Sequence, residues 1–124
     1  MTHQGKVQLT GIFVAPPDQV EEGDRIFRTH APFMAATHNR TGATALLSYS
    51  VAKAPELSNP MDIDSAPTEN TCFVLTEVYE TEAGVADHFR QSAESWEDFP
   101  ALVQWSEKCE VTFVASAPII NSLW

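Results

Sequence analysis

The apolar residues of this chain switch from a period of two to a period between three and four and back again, twice over, and that succession limits the folds open to it. Over Lys6 to Val14, Val7, Leu9 and Phe13 alternate with Gln8, Thr10 and Ile12, which predicts a strand. Pro16-Pro17-Asp18 breaks it. Phe27, Ala31, Met34, Ala35 and His38 then recur at helical steps, predicting a helix that Gly42 ends. Pro32 falls inside that stripe, so the helix either kinks there or divides in two. Ala43 to Ala52, rich in Leu, Tyr and Val, and Phe73 to Tyr79, with β-branched and aromatic residues throughout, predict two further strands.

Lys53 to Asn70 carries three prolines, four acids and no periodicity, and predicts a long loop or excursion. After Thr81, a plausible N-cap, Ala86, Phe89, Ala93 and Trp96 lie on one stripe of a second helix. Pro100 ends or restarts it, a short helical turn covers Ala101 to Glu107, and Glu110 to Ala117 predicts a fourth strand. Pro118 to Trp124 is an apolar tail. The order strand, helix, strand, strand, helix, strand predicts an α+β chain of the ferredoxin-like βαββαβ kind, a single domain over residues 1–124. Right-handed crossovers put both helices on one face of an antiparallel sheet of strand order 4-1-3-2.

Phe73, Leu75, Glu77 and Tyr79 form one face of the third strand, and Cys72, Val74, Thr76 and Val78 the other. The second set is small and suits packing under helices, so the first set is expected to face away from them, beside Leu47, Tyr49 and Val51 of the second strand. Such an apolar face calls for a cover, and a second copy of the chain is the expected one, with the tail lying over the partner.

Seven Lys and Arg against 17 Asp and Glu argue against nucleic acid or an anionic membrane as partner, since neutralising phosphates takes clustered cations. The excess is local: residues 56–110 hold two basic and 13 acidic groups. No apolar run approaches the roughly 20 residues of a bilayer span. The N-terminus lacks the signature of a signal peptide, so a cytoplasmic protein is expected, and the sequon Asn39-Arg40-Thr41 has no consequence there. Hydrolase-elbow, P-loop and dinucleotide motifs are absent from the sequence.

The run Phe73-Val74-Leu75-Thr76-Glu77-Val78-Tyr79-Glu80, followed by Ala83, Ala86, Asp87-His88-Phe89 and Ser92, resembles the antibiotic-biosynthesis-monooxygenase family of dimeric α+β barrels. Members of that family carry an apolar strand ending in Glu, an aromatic two residues on, and a helical His about eleven residues beyond the Glu. The resemblance implies a homodimer with a cavity between sheet and helices in each protomer, and cofactor-independent oxygenation of quinols or aromatic polyketides as one activity among several. Two positions depart from the pattern. Glu94 stands where many relatives have a second His, and no His follows His88 to serve as the haem ligand of the haem-degrading branch. The acidic-Pro-Gly turn common before the second strand reads Arg40-Thr41-Gly42.

Glu77, on a strand face otherwise apolar, is the expected acid–base group, because desolvation moves a carboxyl towards neutral pKa. His88 is its expected partner. Together they can deprotonate a phenol or quinol, whose anion then passes an electron to O2. The alternative is a hydrogen bond that pins helix to sheet or pairs across the dimer, in a non-catalytic protein that binds a small apolar ligand. His38, Tyr49, Tyr79, Phe73 and Trp96 are the expected lining of a site for a small apolar or aromatic molecule. His30 falls on the flank of the first helix. Histidine and cysteine spacings suggest no metal site, since His30 and His38 stand two turns apart, and no cofactor is expected. Cys72 and Cys109 are expected to be free thiols.

Overall fold

A computed structural model describes residues 2–124. Its elements are β1 (Val7–Ala15), a 3-10 turn (Pro17–Gln19), α1 (Val20–Thr37), β2 (Leu46–Leu57), β3 (Pro67–Tyr79), α2 (Glu82–Ser95), α3 (Phe99–Ser106) and β4 (Glu110–Pro118). The four strands form one open antiparallel sheet in the order β2-β3-β1-β4, as the crossover argument expects. The architecture is α+β and compatible with a ferredoxin-like fold. Among the described residues no helix is long and apolar enough to cross a membrane. Thr81 caps α2, its Oγ1 accepting the Ala83 N–H at 3.2 Å.

The faces of the sheet are reversed from the expectation. Phe73, Leu75, Glu77 and Tyr79 of β3 lie under the helices with Val7, Leu9 and Phe13 of β1, while Cys72, Val74 and Thr76 lie on the opposite, open face. Aromatic bulk decides it. Phe73 stacks on Phe27 of α1 at 5.7 Å and meets Trp105 of α3 edge-on at 5.4 Å, while Phe13 stands 5.2 Å from Trp105. Small residues leave the layer between sheet and helices unfilled, and rings fill it. Gly23 makes the approach possible: a Cβ there would meet the Trp105 ring at 2.6 Å and the Phe73 ring at 2.8 Å. Leu47, Tyr49 and Val51 follow the same correction, because Tyr49 pairs with Glu77 and Val51 with Leu75 in register.

The helices turn differently from the predicted stripes. In α1 the buried residues are Gly23, Ile26, Phe27, His30 and Met34, with Ala31 and Ala35 outside, and the helix runs unbroken through Pro32. In α2 they are Gly84, Val85, His88 and Ser92, one position from the apolar stripe, which leaves Ala86 and Ala93 exposed and Phe89 39% exposed. Gly84 explains the rotation. A Cβ there would meet Tyr79 at 2.8 Å and the Thr44 carbonyl at 3.1 Å, so α2 sits closest to the sheet at this residue and brings His88 inward.

Residues 53–70 are mostly strand. β2 runs through Pro55 to Leu57, with a register shift between these two, and β3 starts at Pro67, leaving a turn over 58–66. The Glu56 carboxylate accepts from the Thr68 hydroxyl (2.9 Å) and the Asn70 amide (3.1 Å), binding the two arms together. Past β4, Ile119 exchanges backbone hydrogen bonds with Gly5 and Lys6 (3.0 and 2.9 Å).

Candidate functional site

Four elements converge where α1 and α2 cross the β2–β3 end of the sheet. β3 contributes Glu77 and Tyr79, α2 contributes His88, α1 contributes His30 with His38 at its C-terminal cap, and β2 contributes Tyr49. Glu77 is fully buried, and Tyr79 donates a short hydrogen bond to its Oε1. His88 Nε2 stands 3.6 Å from the same oxygen. The two residues singled out from the sequence therefore face each other.

The hydrogens of this layer follow from its donors and acceptors. Thr37 Oγ1 donates to the Phe33 carbonyl at 2.7 Å, which spends its one hydrogen. Its contact with His38 Nδ1 at 3.0 Å then requires the imidazole to donate. A neutral His38 protonated at Nδ1 accepts at Nε2, so His88 Nδ1 donates to it at 3.0 Å. Neutral His88 is left with a bare lone pair on Nε2, directed at Glu77. Neutrality fits the burial: desolvation lowers the pKa of His88 to about 3 and of His30 to about 4, with the neighbouring imidazoles contributing in each case, and lowers that of His38 as well. Desolvation raises Glu77 to about 7 against the opposing hydrogen bond from Tyr79. Burial also raises both tyrosines, which therefore stay protonated.

A pocket of about 280 Å³ opens between α1 and β2. Ala31, Met34, Ala35, Leu46 and Leu47 make it largely apolar, and His38, Arg40, Ser48 and Tyr49 are its polar groups. Two of these connect inward. His38 bonds to His88, and the Tyr49 hydroxyl lies 2.7 Å from His30 Nδ1. The wall of the pocket is thus hydrogen-bonded to the buried layer of Glu77, His88 and His30.

Of the residues expected to line a site, His38 and Tyr49 do so, and Tyr79 stands behind them holding Glu77. Trp96 packs its ring 4.7 Å from that of His30, inside the layer and not on the pocket wall. Phe73 belongs to the aromatic core with Phe27 and Trp105. His30 is the member that sequence reasoning missed. The residue is 3% exposed, on the face where the helical stripe had placed Ala31. The available signal was its position one turn before Met34 and one turn after Phe27.

Comparison of the chain with family models, with curated proteins and with solved structures gives no match.

Proposed function

We propose that the protein is an enzyme acting on a small, mostly apolar molecule with an acidic hydroxyl, such as a quinol or an anthrone-like phenol, held between α1 and β2. The reaction is cofactor-independent oxygenation: loss of the hydroxyl proton gives an electron-rich anion, which passes one electron to O2 before the radical pair recombines. A single observation carries this reading. Both ring-bearing polar groups of an apolar pocket, His38 and Tyr49, are hydrogen-bonded to buried bases behind it. Tyr49 can accept the substrate hydrogen bond while passing its own proton to His30. Arg40 at the pocket can face the developing anion. The strand and helix motif around Glu77 and His88 lends the same reading the support of the family it resembles.

The reading extends to a homodimer. The open face of the sheet offers Ile12, Val14, Val74 and Val114, and the tail offers Ile120, Leu123 and Trp124, each at least 75% exposed. A second sheet laid on this face would cover both. A non-catalytic binder of the same apolar ligands is the second reading, favoured by the absence of any free ring nitrogen on His38, both of which are engaged inside the protein.

Oxygen uptake with a panel of naphthoquinols and anthrones, using protein alone in chelator, tests the proposal. Tyr49→Phe and Glu77→Gln should each lower kcat at least about tenfold, given the 100- to 10,000-fold that general acid–base groups typically contribute, with the thermal midpoint moved far less. A panel that gives no uptake above buffer, while the same compounds bind, establishes the second reading instead.

A further inference from the structure

His30 of α1, Glu77 of β3 and His88 of α2 are all buried, and each offers a ligand atom lying within 4.8 Å of the others. Glu77 Oε2 is buried without a hydrogen-bond partner, in a side chain that is 0% exposed. Across 3.6 Å from Oε1, the lone pair on His88 Nε2 faces an oxygen that itself accepts from Tyr79. Two acceptors confront one another with no hydrogen assigned between them, next to a third acceptor with nothing bound. A buried arrangement of this kind is costly unless a cation or a proton occupies it.

We propose that His30, Glu77 and His88 form a binding site for a divalent transition metal. Two imidazoles and one carboxylate are the donor set that suits Fe2+, Zn2+, Co2+ or Mn2+; Mg2+ and Ca2+ favour oxygen donors, and Cu+ favours thiolate or thioether. Three protein ligands leave at least one coordination position open to water or a small ligand. Metal–ligand bonds of about 2.0–2.2 Å place tetrahedral ligands roughly 3.4 Å apart, so the three side chains close by about 1 Å on the ion.

The surroundings already orient the donors. His88 Nδ1 is held by His38 Nε2 at 3.0 Å, and His38 in turn by Thr37. With an ion bound, His30 carries its hydrogen on Nδ1 and donates it to the Tyr49 oxygen at 2.7 Å, which leaves Nε2 bare for the ion, and Glu77 Oε1 is held by Tyr79. Partners on the far side of ligating groups are what fix tautomer and ring direction at protein metal sites. Cys72 and Cys109 belong to neither the cluster nor its outer partners.

The site does not rest on the quinol reading. That reading takes these side chains without an ion, and the test of the site uses neither quinol nor O2. Protein stripped with chelator and dialysed is titrated with Co2+, then with Zn2+. The expected result is one Co2+ per chain with the visible absorption of a nitrogen- and oxygen-coordinated ion, displaced by Zn2+, and a thermal midpoint that rises with metal concentration. Glu77→Gln, nearly isosteric, should weaken Co2+ at least 100-fold. Tyr79→Phe, which removes an outer partner, should weaken it about 10- to 100-fold at unchanged stoichiometry. His3→Gln changes the one histidine that is neither a ligand nor an outer partner and should alter neither. Wild-type protein that binds no Co2+ at one per chain overturns the site, whatever the variants do. So does binding that Glu77→Gln leaves intact and His3→Gln abolishes.

Discussion

His38 Nε2 lies 3.0 Å from Nδ1 of His88, so an imidazole on the wall of the pocket and one behind it share a single hydrogen. Its direction follows from Thr37, whose hydroxyl is spent on the Phe33 carbonyl and so takes a hydrogen from His38. Reversing the shared hydrogen would turn His88 Nε2 into a donor, and would require His38 to lose its hold on Thr37.

That arrangement predicts what ring-nitrogen NMR will find in chelator-treated protein. His38 and His88 should both be neutral near pH 7 and carry their hydrogen on Nδ1. Burial holds His30 and His88 at about 4 and about 3, so neither should titrate between about pH 5 and about pH 8. The sign for stability follows. Unfolded histidine takes a proton near 6.5 and the folded pair resists it, so the contribution of these groups is complete above about 6.5 and is lost as pH falls towards 4 and then 3. Ring resonances that shift through a midpoint near 6.5 for either residue would contradict the hydrogen assignment.

Gly23→Ala sets two effects against each other. Alanine raises helix propensity by about 1 kcal/mol over glycine. The new methyl meets two buried rings at 2.6–2.9 Å, and overpacking a core typically costs about 1–3 kcal/mol. Neither Trp105, whose Nε1 is tied to the Gln19 carbonyl at 2.9 Å, nor Phe73 in the middle of β3 has free space to yield. A net loss of about 1 kcal/mol is expected in denaturant melts, and a gain would mean that the two rings shift easily.

Cys72 and Cys109 are both free. β1 lies between their strands, which places them about 9.6 Å apart, beyond the roughly 7 Å a disulfide allows between Cα atoms. Desolvation raises both thiols, Cys109 to about 11, with the charge of Glu56 adding to the rise at Cys72. Thiolate is the reactive form, so alkylation of Cys109 in the folded protein should be slow near pH 8 and quicken towards pH 11. Denatured protein should titrate two thiols at once.

For the homodimer, light scattering at micromolar concentration should return twice 13.7 kDa, and removal of residues 119–124 should shift the species towards monomer. A monomer at all concentrations would end the paired-sheet proposal. Roughly 25 cal/mol per Å² of apolar surface covered makes several hundred Å² worth of order 10 kcal/mol before association costs, so a contact of this kind is not expected to be marginal.

The order of strands and helices was readable because each element carries its own period, and Thr81 declared the start of α2 through its side chain. The face of β3 was not. Alternation tells which residues share a side but leaves open which side the helices cover, and Phe73 was decided by rings from α1 and α3, far away in sequence. The same holds for the buried layer. Glu77 and His88 were legible as facing partners on one strand and one helix. His30 shares the buried face of α1 with Phe27 and Met34, but that it meets Glu77 and His88 depends on how α1, α2 and β3 pack together, which no single stripe encodes. The 53–70 segment misled through Pro55 and Pro67, which are tolerated because β2 is an edge strand and Pro67 is the first residue of β3.

Because the sheet is open, β2 presents a row of backbone groups to any other extended chain that meets it, and twelve residues make a long template. Lys53 and Pro55 sit in that row. Lys53 is drawn across to Asp24 of α1 at 2.9 Å, setting a charge beside the edge, and Pro55 removes a donor just before the register shift. A newcomer strand would have to bury an ammonium and skip a hydrogen bond within three residues. The outer border of the sheet is thereby guarded against strand-by-strand aggregation, and replacing both residues with valine would leave it adhesive.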